Sequence, residues 1–554
     1  MIASKGKAVT ALNQPDKGAK KDFDVLVIGA GFAGLCMMHK LRELGFSAQV
    51  VEMGDGVGGT WFWNRYPGAR VDVESIEYSF SFSKEIEQEW TWTELMPEQA
   101  EIERYVNFVA DRLDLRRHIK FETRVTASTY DEASATWLVE TDRGDRWIAS
   151  FVVTAVGCLS APLEPAIAGL KDFKGVALHT NRFPKGGFDF TGKRVAVVGT
   201  GSSGVQTIPV VAKQAAHLTV FQRSAAYTRP ANNRMLAPGE LDELKADYAN
   251  IRARQLASPA GALRFGAVSL ESPSSQKILE TPKAERLRRL KEEGWAAPAA
   301  WADVMVDMKA NDAARELYGE LVRSAIKDPE TAEALIPHYP LGCKRQILDT
   351  GYFDTFNRDN VTLVDLRKDP IKRIAAGGIE TGARSFDFDV IVFATGFDAM
   401  TGTLNRIDIT GRGGQRLRDL WQSQGPRTYL GLQSHGFPNL FTITGPGSPS
   451  VHSNMIVSIE QHVRWIGDCL AYLRDKGLRS MEANLDVQEA WVAETAAIVK
   501  GRINVSDSCN SWYLGANVPG KIRVYMPYDA GVPAYRKRCD EIASKGYAGF
   551  TLSK

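Results

Sequence analysis

The sequence predicts an α/β fold in which one structural plan occurs twice, with a helical segment inserted into the second copy. Three observations predict it. Three apolar runs each lead to a glycine: Val25-Leu26-Val27-Ile28 before Gly29, Val195-Ala196-Val197-Val198 before Gly199, and Val390-Ile391-Val392-Phe393 running into Ala394-Thr395-Gly396. Uninterrupted β-branched runs suit parallel strands, because a strand covered on both faces has no wet side to alternate with. Helical stretches lie between the runs, the alternation of an α/β domain. The region from Pro238 to Ile336 differs: it is rich in Ala, Leu, Glu, Lys and Arg. Its helix-forming stretches are residues 240–256, 284–294 and 311–327, the last closed by Asp328-Pro329.

Length and composition agree with this plan. At 554 residues the chain exceeds one hydrophobic core, since domains usually run to about 100–200 residues. Apolar residues make up 44% and charged residues 24%, ordinary values for a folded globular chain. A net charge of +2 gives no reason to expect nucleic acid or an anionic membrane as partner. The uncharged apolar run over residues 148–163 is too short and interrupted to cross a bilayer. Residues 1–21 hold five lysines and no apolar core segment, and read as a disordered tail rather than a signal peptide. The six cysteines are scattered without a C-x-x-C pair. That pattern suggests neither a zinc site nor a disulfide framework, and fits a reducing cytoplasm.

The first glycine fingerprint is Gly29-Ala30-Gly31-Phe32-Ala33-Gly34, between a strand and a helix. Its first glycine makes the turn, its second lets the backbone approach a pyrophosphate, and its third lets helix and strand pack closely. The phosphates sit on the helix N-terminus, where free N–H groups favour negative charge. A second strand ends at Glu52, about 20 residues on, where an acid can hold ribose hydroxyls. Gly58-Gly59-Thr60-Trp61 follows, and this segment resembles the flavin-dependent class B monooxygenases. The resemblance implies that the first nucleotide is FAD.

The second fingerprint is Gly199-Thr200-Gly201-Ser202-Ser203-Gly204. The strand after it ends not in an acid but in Gln222-Arg223-Ser224. An acid would repel a 2′-phosphate, whereas an arginine can hold it in a charge-assisted pair, so this site reads as NADP(H) rather than NAD.

Beyond the tail, nearly the whole chain resembles the type I Baeyer–Villiger monooxygenases. Gly59-Thr60-Trp61, Tyr66-Pro67-Gly68 and Asp72 match one family signature, and Phe393-Ala394-Thr395-Gly396-Phe397-Asp398 matches the C-terminal FAD strand. Gly445-Pro446-Gly447-Ser448-Pro449-Ser450, Ser511-Trp512-Tyr513 and residues 515–521 look most like the phenylacetone and steroid monooxygenase branch. One signature departs: residues 173–184 carry Phe183 where the family has tryptophan, as the N- and S-oxidising flavin monooxygenases do, yet keep Pro184. Those enzymes are the competing reading. A pyridine nucleotide–disulfide reductase would need a C-x(2–4)-C pair, which is absent.

The resemblance implies two Rossmann-like domains: residues 22–157 and 388–554 for FAD, residues 158–230 and 337–387 for NADP, and a helical subdomain over 231–336. It implies conversion of ketones to esters or lactones with NADPH and O2 through a flavin peroxide, with sulfide oxidation besides, by a monomer or weak homodimer. Arg345 falls at the catalytic arginine, where a permanent cation stabilises the peroxide anion and the developing oxyanion. Asp72 is its expected partner, since an unpaired buried arginine would be costly. Lys344 is a further phosphate ligand, and Tyr78 joins the flavin site. Val451, His452 and Trp512 line the substrate pocket, Trp512 also reaching NADP. His452 stands where relatives are apolar; it either adds a polar feature to the pocket or faces solvent. His179 couples NADP binding to domain movement. No histidine spacing suggests a metal.

Overall fold

The computed structural model describes residues 21–265, 268–270 and 274–554. The tail expected over residues 1–21 lies, but for Lys21, outside them. Two sheets organise the chain. In the first, the strand order is Asp408–Thr410, Val125–Asp131, Thr136–Thr141, Arg146–Thr154, Phe23–Ile28, Ala48–Val51 and Ile119–Lys120, and Leu440–Thr442 also pairs with Arg146–Thr154. Phe23–Ile28 is its parallel centre, with Val25 opposite both Ala48 and Phe151. The second sheet is parallel throughout, in the order Val361–Asp365, His217–Gln222, Arg194–Val198, Val390–Phe393, Val176–His179.

All three apolar runs are buried: Val25, Leu26, Val27, Val195, Ala196, Val197, Ile391, Val392 and Phe393 have no exposed surface. Each sheet centre is covered on both faces: Phe32–Glu43 packs on the first sheet and Ser202–Gln214 on the second. The opposite faces pack on Trp137 and Val139 in the first and on Ile374, Ile379 and Phe386 of a small antiparallel sheet in the second, so these strands never meet water. The third run corrects one expectation. Residues 388–393 were placed with the first sheet, but Val390–Phe393 lies inside the second, with Phe393 opposite Val198 on one side and His179 on the other. The chain returns to the first sheet only after this strand. Four consecutive apolar residues suit the middle of either sheet, and nothing local says which sheet takes them.

Both fingerprint helices start at the second glycine of their motif: Phe32–Glu43 after Gly31, and Ser202–Gln214 after Gly201. The inserted region holds the helices Glu240–Ala246, Tyr248–Ala257, Lys283–Glu293, Met308–Ala325 and Pro329–Leu335. Asp307 and Asp328 cap the last two by accepting from backbone N–H groups of the first turn, and Pro329 opens the final helix, where its missing N–H costs nothing. Among the described residues no helix is long and apolar enough to cross a membrane.

Candidate active site

The two fingerprints fold as near copies. Gly29 and Gly199 have φ of +105° and +111°, a region open only to glycine, and a Cβ on either would press on the carbonyl of Ala155 or Ala394. A Cβ on Gly34 or Gly204 would overlap the carbonyl oxygen of Gly29 or Gly199, so helix and turn are in direct contact. The second glycines differ. A Cβ on Gly31 would meet the Gly59 backbone at 3.3 Å, whereas one on Gly201 would meet nothing within 4 Å. The free helix N-terminus and the open space beside Gly201 fit a pyrophosphate.

Glu52 is buried, and its carboxylate accepts from the N–H of Ala30 (2.8 Å) and of Gly54 (2.7 Å). It therefore braces the glycine turn while keeping lone pairs for a ribose. Burial pushes its carboxyl above the usual range, and these backbone donors hold it back. Gly58 N–H donates to the Ala30 carbonyl, seating Gly58-Gly59-Thr60-Trp61 on the fingerprint. Thr60 is exposed, and the Trp61 indole N–H donates to the Tyr78 hydroxyl (3.2 Å). Burial holds the Tyr78 phenol well above its ordinary range, so it stays protonated.

Glu77, next to Tyr78, supplies a pH test. One carboxyl oxygen accepts from Leu263 N–H (2.8 Å), and the other meets no donor among the described residues. Burial pushes its pKa up to about 8. The folded chain thus holds a proton that the unfolded chain releases at about 4.3, so stability falls as pH rises between these values and then levels off. In Glu77→Gln this part of the fall is expected to vanish, leaving the variant more stable than the parent above about pH 8 by thermal melting. An unchanged slope would contradict the buried, protonated carboxyl.

On the second fingerprint, Thr200 Oγ1 donates to the Ser224 carbonyl (2.9 Å), and Ser202 and Ser203 open the helix. Arg223 and Lys344 line a cavity of about 200 Å³ with Ser224, Arg367, Ser508 and Asn510. Burial lowers the Lys344 ammonium pKa, and the neighbouring Arg223 charge lowers it further, as expected of two cations gathered without a carboxylate between them. A 2′-phosphate would satisfy both. Arg223→Ala is therefore expected to raise KM for NADPH by at least about 10-fold while leaving KM for NADH nearly unchanged, read from steady-state oxidation of each cofactor. Equal changes for both cofactors would refute this role. Arg367, Ser508 and Asn510 escaped the sequence reading; only Arg367, at the end of a strand beside His217–Gln222, carried a usable signal.

The residues expected to do chemistry meet between the two units. Arg345 Nε donates to Asp72 Oδ2 at 2.8 Å, and its Nη1 donates to the Val451 carbonyl at 3.1 Å. The Tyr513 phenol lies beside the guanidinium and favours its charge, and the Phe265 ring lies 5.4 Å from it. Burial opposes the arginine's charge, but Asp72 and Tyr513 outweigh it and raise its pKa. About a third of each partner's side chain stays open (35% and 32%), so the cation is fixed without being enclosed. The signature around Asp72 earns its place by bridging the units: the Tyr66 hydroxyl donates to Gln206 Oε1 (2.8 Å), and Gln206 Nε2 donates to the Arg70 carbonyl (3.0 Å).

Val451 is buried with Cys158 and Met400, and Trp512 packs half-buried against this cluster with its ring 4.3 Å from Tyr513. These side chains offer an apolar wall near Arg345. His452 pairs with Asp529 (3.0 Å). His179 ends its strand with its ring over Phe393 (5.2 Å) and Glu164 3.7 Å away. Phe183 is buried in the second core beside Phe190, so the change from tryptophan is one of packing.

One expectation fails. Cys343 and Cys509 form a disulfide, with Cα atoms 5.4 Å apart. The two positions are 166 residues apart in sequence, and only the fold brings the segment before Lys344 against the loop before Trp512. It is not the short-spaced pair of a disulfide reductase. The other four cysteines are free and buried. No group of His, Cys, Asp and Glu able to hold a metal occurs among the described residues.

Two dinucleotide cradles facing a fixed arginine define a flavoprotein oxidoreductase of the two-nucleotide class. Comparison with known proteins narrows it. A family model described as pyridine nucleotide-disulphide oxidoreductase matches residues 26–257. A Baeyer-Villiger monooxygenase of Pseudooceanicola batsensis is 40% identical over 95% of this chain and 95% of its own length. A phenazine N-monooxygenase of Lysobacter antibioticus is 36% identical over 96% and 97%. A solved structure of oxidised steroid monooxygenase bound to NADP is 47% identical, with a TM-score of 0.89, over 96% of this chain and 99% of that one. The chain belongs to the Baeyer–Villiger monooxygenase family.

Proposed function

We propose that this protein uses NADPH and O2 to convert ketones to esters or lactones, and sulfides to sulfoxides as a side reaction. The Arg345–Asp72 pair carries this reading, because it places a permanent, oriented cation beside an apolar wall and between the two nucleotide cradles. Bound FAD, reduced by NADPH, supplies the activated oxygen. The chain's own residues do the rest. Glu52 and the glycine turn orient the first nucleotide, and Arg223 with Lys344 selects the second. Asp72 and the Val451 carbonyl use two of the guanidinium's N–H groups and thereby aim the others. Aimed donors stabilise the negative charge that grows on the carbonyl oxygen of a ketone under attack, and they need not reorganise when it appears. Val451 and Trp512 present the apolar surface, suiting aromatic or bulky ketones.

The test is direct. The yellow protein is mixed with NADPH, air and phenylacetone, and the products are identified. An ester formed with one NADPH consumed per ester is expected. Oxidation of amines or sulfides alone, with no ester from any of a panel of ketones, would refute the reading in favour of N- or S-oxidation.

A further inference from the structure

We infer that His452 and Asp529 are positioning residues for Arg345, acting through the Val451 carbonyl and the Tyr513 ring. This rests on the function proposed above. His452 Nδ1 lies 3.0 Å from Asp529 Oδ1, and the other carboxylate oxygen of Asp529 accepts from Arg502 Nη1 at 2.6 Å. The Tyr525 hydroxyl lies 3.2 Å from Nε2 and 3.5 Å from Nδ1, and itself accepts from Asn504 Nδ2 at 2.9 Å. The carboxylate assigns the ring proton on Nδ1. Asp529, held by Arg502, can only accept, so Nδ1 carries a hydrogen and donates to it. The Tyr525 hydroxyl packs against the same imidazole and is held by Asn504. His452, Asp529, Arg502 and Tyr525 thus form one hydrogen-bonded network, and such networks favour one arrangement of the side chains they contain.

That arrangement reaches Arg345 by two routes. His452 directly follows Val451 in the turn Ser450–His452, and the Val451 carbonyl holds one arginine nitrogen. The turn contains Ser450 at φ +38°, a conformation a non-glycine residue keeps only where its surroundings impose it. Anchoring His452 to Asp529 helps impose it. The second route is the imidazole itself, which packs edge-on against Tyr513 with ring centres 4.5 Å apart, while the Tyr513 phenol lies beside the guanidinium. The imidazole thus backs the ring that supplies Arg345's third contact. An apolar side chain at position 452 could fill the space but could not tie the turn to Asp529.

The experiment compares His452→Leu, Asp529→Asn, His452→Asn and Tyr525→Phe as holoenzymes. Four readouts are taken: melting temperature, the rate of flavin reduction by NADPH, ester formed per NADPH, and the solvent-exchange rate of the Arg345 Nε–H in ¹⁵N-arginine spectra, assigned by its loss in Arg345→Lys. His452→Leu and Asp529→Asn should lower kcat for ester formation by about 10-fold or more, as expected when a catalytic group is displaced by a fraction of an ångström. KM for the ketone and the flavin reduction rate should change by less than about 2-fold, because neither the apolar wall nor the nucleotide cradles are touched. The Nε–H should exchange faster in both. His452→Asn, whose amide can still donate to Asp529, should recover most of the loss, and the double variant should be no worse than either single one. Tyr525→Phe, which removes one hydroxyl, should show a smaller effect of the same kind. The inference is overturned if coupling and Nε–H exchange match the parent in His452→Leu, or if His452→Asn gives no recovery. If the parent forms no ester, the proposed function fails, and the Nε–H exchange still decides whether His452 positions Arg345.

Discussion

Arg345→Ala is expected to yield a yellow protein that NADPH still reduces but that forms no ester, a loss of at least about 10²–10³-fold, the usual cost of removing one aimed donor at a developing charge. Flavin reduction should survive because Arg345 belongs to neither glycine cradle and is separate from the Arg223–Lys344 cluster that selects the phosphate. Reduction is followed by loss of the oxidised-flavin absorbance and ester formation by product analysis of the same samples. Arg345→Lys should recover little. A lysine supplies a point charge on a flexible stem, whereas the guanidinium donates to Asp72 and the Val451 carbonyl at once and keeps N–H groups for the cleft. Removing the cation also strands Asp72, so a drop in melting temperature is expected beside the kinetic loss. Ester formation at near-parental rate in Arg345→Ala would sink the proposed mechanism.

The second large effect belongs to a residue with no side chain. Gly34→Ala is expected to give colourless, poorly soluble protein, because its methyl group would occupy the place of the Gly29 carbonyl oxygen. Neither atom can yield: Gly34 lies in the first turn of Phe32–Glu43, and Gly29 is fixed at the end of the central strand. Overpacking of this kind costs about 1–3 kcal/mol where neighbours can relax, and more where backbone meets backbone. Gly201→Ala is the control. Its methyl meets no protein atom within 4 Å, so the fold and the flavin should be retained. Only the affinity for NADPH should fall, since the space taken is the phosphate's. FAD content by absorbance and NADPH binding by titration separate the two outcomes. A flavin-loaded, stable Gly34→Ala would mean that helix and turn are not in contact.

These examples show what was legible in the sequence. Gly29, Gly34, Gly199 and Gly204 could be read because a turn and a close approach are local demands, met within six consecutive residues. Glu52 and Arg223 could be placed because the strand after each fingerprint ends beside its own glycine turn, where Glu52 meets Ala30 and Ser224 meets Thr200. The pairing of Arg345 with Asp72 came only through family resemblance, since residues so far apart in sequence have no shared period or spacing. The same reason hid Tyr513 and Asp529, and it hid the bond between Cys343 and Cys509. Val390–Phe393 was recognised as a strand but assigned to the wrong sheet, because burial on both faces looks alike in either. His452 was noticed for its polarity, but its partners come from residues 502–529, a stretch of loop with no periodicity to read.

The Cys343–Cys509 bond has a mechanical consequence. Arg345 stands two residues after one sulfur, and Trp512 three residues after the other. While the bond is closed, the segment that carries the cation and the loop that carries the indole travel as a single rigid clamp, whatever the two nucleotide units do around them. Any opening of the cleft must then hinge elsewhere, and a protease cut anywhere between the two cysteines leaves one covalent molecule that separates into two fragments only after a thiol is added.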